Sequence, residues 1–251
     1  MNVIASSRTI AFVGTALVGT ALLTSCGSTT TPDDPFLDQS PRAITRTAMA
    51  AMDDVTSVRL LGTLHTDRGR VRIDVRVDDG GRCAGSFDGD RGGARFVSSD
   101  DGTWAQPDET FWRTSTATSR EAEKVMREVG TSWVSLADGA VDVDELCGTK
   151  AILGGFKGRK DGGEGRLSKG DVELVGDTQA VAVRAKGRGQ AATMWVEVEE
   201  PHRVVKIISR DHGRPQSISF EEFGTEVTAE APPADEVLDM TAYGAGGTPR
   251  R

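Results

Sequence analysis

From Thr178 to Phe223 the chain alternates apolar and polar residues in four runs, TQAVAVRAK, ATMWVEVEE, PHRVVKIIS and PQSISFEEF. A period of two marks strands with two unlike faces. Val181 and Val183 alternate with Ala and Arg, Met194, Val196 and Val198 with Trp195, Glu197 and Glu199, and Ile218 with Ser217 and Ser219. Gly187 to Gln190, Glu200-Pro201 and Asp211 to Arg214 supply the reversals, so the pattern predicts an antiparallel meander. Its apolar face must be covered, and a cover that fits loosely leaves a pocket.

The first half carries a second meander. Val58 to Leu64 and Val71 to Val77 predict a hairpin turned at Thr66 to Gly69, with Val71, Ile73, Val75 and Val77 on one face. Asp78 to Gly81 turns into Cys83 to Phe87, Asp88 to Gly93 into Ala94 to Ser98, and Asp101-Gly102 into a strand at Trp104. Two helices are predicted. Ser40-Pro41 opens one over 40–54, with Ile44, Ala48, Met52 and Val55 along one face. The capping box Thr118 to Glu121 opens another over 119–129, with Ala122, Val125, Met126 and Val129 inward and Gly130 as the stop. Trp133 to Leu136 and the VDELC segment ending at Cys147 are too brief to assign, and Ala151 to Phe156 reads as either strand or helix end. The charged, Gly-rich connection 157–164 resembles a domain boundary. Neither side has a complete core of its own, so one continuous sheet over a single domain, 40–239, is expected.

The N-terminus follows a different pattern. Residues 1–25 read as a signal peptide, with Arg8 before the apolar run Ile10 to Leu23, which is too short to span a bilayer comfortably. The run ends in Leu23-Thr24-Ser25-Cys26, which resembles a bacterial lipobox and makes Cys26 the expected acylated N-terminus. Residues 26–39 then form a polar tether, and 240–251 a disordered tail. The expected location is the extracytoplasmic face of the cell membrane, held by lipid.

Composition narrows the chemistry. Aromatics are 5% of the 251 residues, so the expected core is Val, Ile, Leu and Ala. A net charge of −8 is the wrong sign for phosphate-backbone contacts, which excludes nucleic acid as a general partner. Beyond Cys26, Cys83 and Cys147 form a pair whose default in an exported chain is a disulfide, the alternative being two free thiols. No metal site is expected, because His65, His202 and His212 are isolated and Asp88-x-Asp90 lacks the later ligands of a calcium loop. Gly187 to Ala192 approximates a dinucleotide fingerprint but leads into a strand rather than a helix. No nucleophile elbow is present, and Glu221 and Glu222, adjacent in a strand, would face opposite ways. No enzyme activity and no cofactor are expected.

An exported, Cys-anchored chain with helix, meander, central helix and second meander resembles the LppX and LprG type of actinobacterial lipoproteins, relatives of the LolA lipoprotein carrier. The residues carrying the likeness are LTSC (23–26), SPRAITRTAMAAMDDVTSVRLLGTL (40–64) and SISFEEFGTEVTAEAPPADEV (217–237). The resemblance implies an α+β fold: a single curved antiparallel sheet, an unclosed half-barrel, with helices packed in its concave face. It also implies a cavity for the acyl chains of membrane lipids or lipoproteins. Alternation places Val71, Ile73 and Val75, Met126 and Val129, and Val181 and Val183 on the expected cavity walls. An envelope-protein interaction module, contacting its partner through exposed aromatics such as Trp112 and Trp195, is the other expectation.

Overall fold

A computed structural model of the chain describes residues 34–66, 69–136, 147, 166–187, 190–211 and 213–239. The signal segment, Cys26, the tether up to 33, most of VDELC, Ala151 to Phe156, the connection 157–164, His212 and the tail 240–251 lie outside the described residues.

Among the described residues, β1 (Ser57–Thr66), β2 (Gly69–Asp78), β3 (Cys83–Gly89), β4 (Gly92–Ser99), β5 (Gly102–Pro107), β6 (Trp133–Ser135), β7 (Arg166–Val175), β8 (Thr178–Gly187), β9 (Gln190–Glu197), β10 (Val204–Asp211), β11 (Arg214–Glu221) and β12 (Val237–Asp239) form one sheet. Their order is β12-β6-β5-β4-β3-β2-β1-β11-β10-β9-β8-β7. All neighbours are antiparallel except β12, which runs parallel to β6. The fold is the expected α+β unclosed half-barrel. Its two meanders join where β1 pairs with β11, Leu60 opposite Phe220 and Gly62 opposite Ile218.

Helix α1 (Pro41–Asp53) begins as the sequence predicts: the Ser40 hydroxyl accepts from the Ala43 N–H at 3.2 Å, and Pro41 occupies the first turn. It packs on β7, β8 and β10 and buries Ile44, Ala48, Met49 and Met52. Helix α3 (Ser119–Val129) has the predicted capping box. Between them lies α2 (Glu109–Ser115), which the pattern did not reveal because seven residues give barely two turns of periodicity. Its signal was local. Asp108 follows Pro107 and accepts from the Phe111 N–H at 2.6 Å, and Glu109 pairs with Arg113 four residues on.

Strand β7 was also missed. It is an edge strand, exposed along most of its length, and its charges and the irregularity between Lys169 and Val172 read as loop; such features protect an edge from further pairing. Residues 34–39 depart from the tether reading too. Phe36 is 4% exposed, its ring stacked at 3.7 Å on His202, and Lys169 donates to the Leu37 carbonyl. The aromatic residue makes burial of that segment favourable. The core likewise includes Phe96, Phe220, Met194 and Trp112 besides the expected aliphatics.

Cys83 and Cys147 are joined in a disulfide, Cα to Cα 5.8 Å, across 64 residues of chain. Closing a loop of that length contributes about 4 kcal/mol in the chain-entropy model.

Curvature has a local cause in strand glycines. A Cβ on Gly62 would lie 2.2 Å from the Ser217 carbonyl oxygen, and one on Gly85 2.3 Å from that of Asp74. Adjacent backbones approach more closely there than any side chain permits. Gly62→Val should therefore destabilise the fold by about 2–4 kcal/mol in urea denaturation. Gly187→Ala, with nothing within 4 Å of the new carbon, should change stability by less than about 0.5 kcal/mol.

Candidate functional site

The concave face carries two apolar clusters. The larger joins α1 to the middle and C-terminal strands through Ile44, Met52, Leu60, Val75, Phe96, Val183, Met194 and Phe220. The smaller lies where α2 and α3 meet β6, and contains Trp112, Val125, Val129 and Val134. Ala105 touches both.

Between the two helical covers the inward positions of β1, β2 and β3 change character along the strands. Val58, Leu60, Val75 and Val77, near the start of β1, are buried. Further along, Leu64, Val71, Ile73 and Phe87 are only half-buried. The register makes them neighbours: Leu64 faces Val71, and Ile73 lies between Gly62 and Phe87. On the α2 side, Phe111 meets Phe87 edge-on at 6.2 Å between ring centroids and Trp112 at 5.7 Å. The result is an apolar strip that runs toward the β1–β2 turn, with glycines at Gly62, Gly85 and Gly89 in its floor.

The seven expected wall residues divide accordingly. Val71 and Ile73 lie on the strip, while Val75, Val181 and Val183 are packed into the larger cluster. Met126, half-buried, and Val129, buried, belong to the smaller one. Leu64, Phe87 and Phe111 were not singled out, since period-two reasoning identifies a face but not how far a helix covers it. Of the two aromatics expected at the surface, Trp112 is buried, 8% exposed, and Trp195 is half-buried, its indole N–H donating to Glu173. Trp195 faces Ala182 across the sheet, and Ala180 to Val183 are all buried, where strict alternation would expose every second one.

No protein-family model matches the chain, and no curated protein matches it by sequence. By structure it is similar to the Mycobacterium tuberculosis lipoprotein LppX, with a TM-score of 0.51 and 14% identity over 79% of this chain and 100% of LppX. It is similar also to LprF from Mycobacterium bovis, with a TM-score of 0.50 and 13% identity over 76% of this chain and 96% of LprF. The chain has the LppX-type fold. At these identities the likeness is one of fold, and the particular side chains on the concave strip belong to this protein.

The convex side of this LppX-type sheet is polar and ionically paired. Arg59 donates to both carboxylate oxygens of Asp74, at 2.8 and 2.7 Å, and to Glu222 at 2.8 Å. Arg76, directly opposite Arg59, donates twice to Glu222, at 2.8 and 3.1 Å. Glu222 leaves β11 with φ 51 and so reaches back over these arginines, a departure from the strict strand alternation expected for Glu221 and Glu222. At the sheet's end, the buried Glu197 accepts from the Arg203 backbone N–H at 3.1 Å and from its guanidinium at 2.9 and 3.2 Å.

Hydrogen bonding from Arg59 holds the Asp74 carboxyl below the ordinary carboxylate range, against an opposing desolvation effect. Hydrogen bonding from Arg76, then from Arg59, does the same for Glu222. A depressed carboxyl contributes stability that is complete above its unfolded pKa and is lost as pH falls through the folded one. Wild-type stability should therefore decline as pH falls from about 5 toward 2. Asp74→Asn should be less stable at neutral pH, with the gap closing at the acid end, measured by urea denaturation across that range. An equal deficit at every pH would refute the assignment.

Proposed function

We propose that the protein is a membrane-anchored extracytoplasmic lipoprotein that binds and transfers lipid acyl chains along the strip of Leu64, Val71, Ile73 and Phe87. The observation that carries this reading is the strip itself, a half-buried apolar row between two helical covers, set in an LppX-type fold. The strip runs about 7 Å along β1 from Gly62 to Leu64 and about 10 Å across from β1 to β3, enough to hold part of an acyl chain against the sheet. Each methylene removed from water contributes about 0.8 kcal/mol, so binding needs no covalent step. A headgroup at the β1–β2 end of the strip stays in water while the chain lies against the sheet. Among the described residues the large exposed hydrophobics, Leu174, Ile208 and Leu238, stand on β7, β10 and β12, strands that are not neighbours. That separation favours an acyl chain over a flat protein partner as the occupant.

Ile73→Trp and Leu64→Trp should fill the strip and weaken uptake of a fluorescent fatty acid by about tenfold or more, with stability changed by less than about 1 kcal/mol. Val75→Trp and Val183→Trp, in packed core, should instead destabilise by about 1–3 kcal/mol. Wild-type protein that is recovered free of extractable lipid and takes up no fatty acid would overturn the carrier reading.

The anchor is assigned to Cys26. Metabolic labelling with a radioactive fatty acid should mark the wild type and not Cys26→Ser; a labelled Ser variant would remove Cys26 from that role.

A further inference from the structure

On the convex face the outward residues of β1, β2, β3, β10 and β11, with Gly62 and Ile73 between them, line an open groove of about 580 Å³. The register sets two rows across it. In one, Lys206 faces Ser219, Ser219 faces Leu61, Leu61 faces Asp74 and Asp74 faces Ser86; in the other, Ser217 faces Thr63, Thr63 faces Arg72 and Arg72 faces Asp88.

The formal charges of this lining cancel: Arg72 and Lys206 against Asp74 and Asp88. Arg72 is paired with Asp88 at 2.8 Å, and Asp74 is held by Arg59. The Lys206 ammonium lies 5.6 Å over the Trp195 ring and has no carboxylate partner among the described residues. The hydroxyls of Thr63, Ser86, Ser217 and Ser219 likewise have no partner there, which leaves four groups that can both donate and accept.

That chemistry discriminates among ligands. An acyl chain would find two large apolar residues, Leu61 and Ile73, in a lining that is otherwise polar, charged or glycine. An extended peptide would need a free sheet edge, and all five strands are paired on both sides. A polyanion would meet Asp74 and Asp88 on a chain of net charge −8. A ligand that offers many neutral hydroxyls can use donors, acceptors and hydroxyls at once, and the volume lies within the range of about 300–1,000 Å³ usual for small-ligand sites.

We propose that this groove is a glycan site for a neutral oligosaccharide segment. Apart from Gly62 and Ile73 its lining faces away from the apolar strip, so it stands whether or not that strip carries lipid.

The test is calorimetric titration and saturation-transfer NMR of the full chain with neutral oligosaccharides of glucose, mannose, arabinose and N-acetylglucosamine, beside oligogalacturonate as an anionic comparison. At least one neutral oligosaccharide should bind with a Kd of about 1 mM or tighter. Ser219→Trp, which fills the groove, should weaken that binding by about tenfold or more, with fluorescent fatty acid uptake unchanged. The Thr63→Val, Ser217→Ala double variant adds no bulk and should weaken it roughly three- to tenfold, which keeps the test open if the Trp variant fails to fold. No binding by any neutral member, binding by oligogalacturonate alone, or undiminished binding in the double variant would each overturn the proposal.

Discussion

The constraint behind the whole molecule is one of area. Among the described residues a sheet of twelve strands at about 4.8 Å spacing spans roughly 50 Å, and α1, α2 and α3, of 13, 7 and 11 residues, cannot by themselves cover its apolar face. The chain meets this in two ways. It curls the sheet, so that β1, β2 and β3 pack partly against side chains from both ends, and it splits the helices between the two ends. What the helices leave between them is the half-buried strip.

Curling requires close approach of backbones, and glycine permits it. Gly62 and Gly85 sit in the strands where the covers diverge, and their missing side chains serve both bending and room on the concave floor. The C-terminal segment ties the curl: after β11, Gly224 donates to the Ser57 carbonyl and the Ser57 hydroxyl to that of Thr225, and the chain then reaches the far edge as β12 beside β6. The Cys83–Cys147 bridge closes a further long loop onto the same core.

The two faces have separate chemistry because the pleat separates them. Leu60, Ile73 and Val75 point inward, and their immediate neighbours Arg59, Arg72 and Asp74 point outward, where arginine–carboxylate pairs bind strands across the junction of the two meanders. An apolar strip on one side and a hydroxyl-rich groove on the other are two consequences of one alternation.

Much of this was legible in the sequence because it is local. Period-two alternation, Gly- and Asp-rich turns, the Ser40 cap and the Thr118 capping box depend on residues a few positions apart, and they identified the C-terminal meander, the N-terminal hairpins and the helices α1 and α3. The half-barrel class followed from the resemblance those elements carry. Strand β7 lacked the pattern because an edge strand buries little, α2 was too short for a period to emerge, and Phe36 joined the core through a ring contact with a residue far along the chain. Which inward residues are core and which remain half-buried was decided only by tertiary structure. Val75 and Ile73 are equivalent in alternation, yet one is packed and the other lies on the strip, because coverage depends on where helices from distant parts of the chain come to rest.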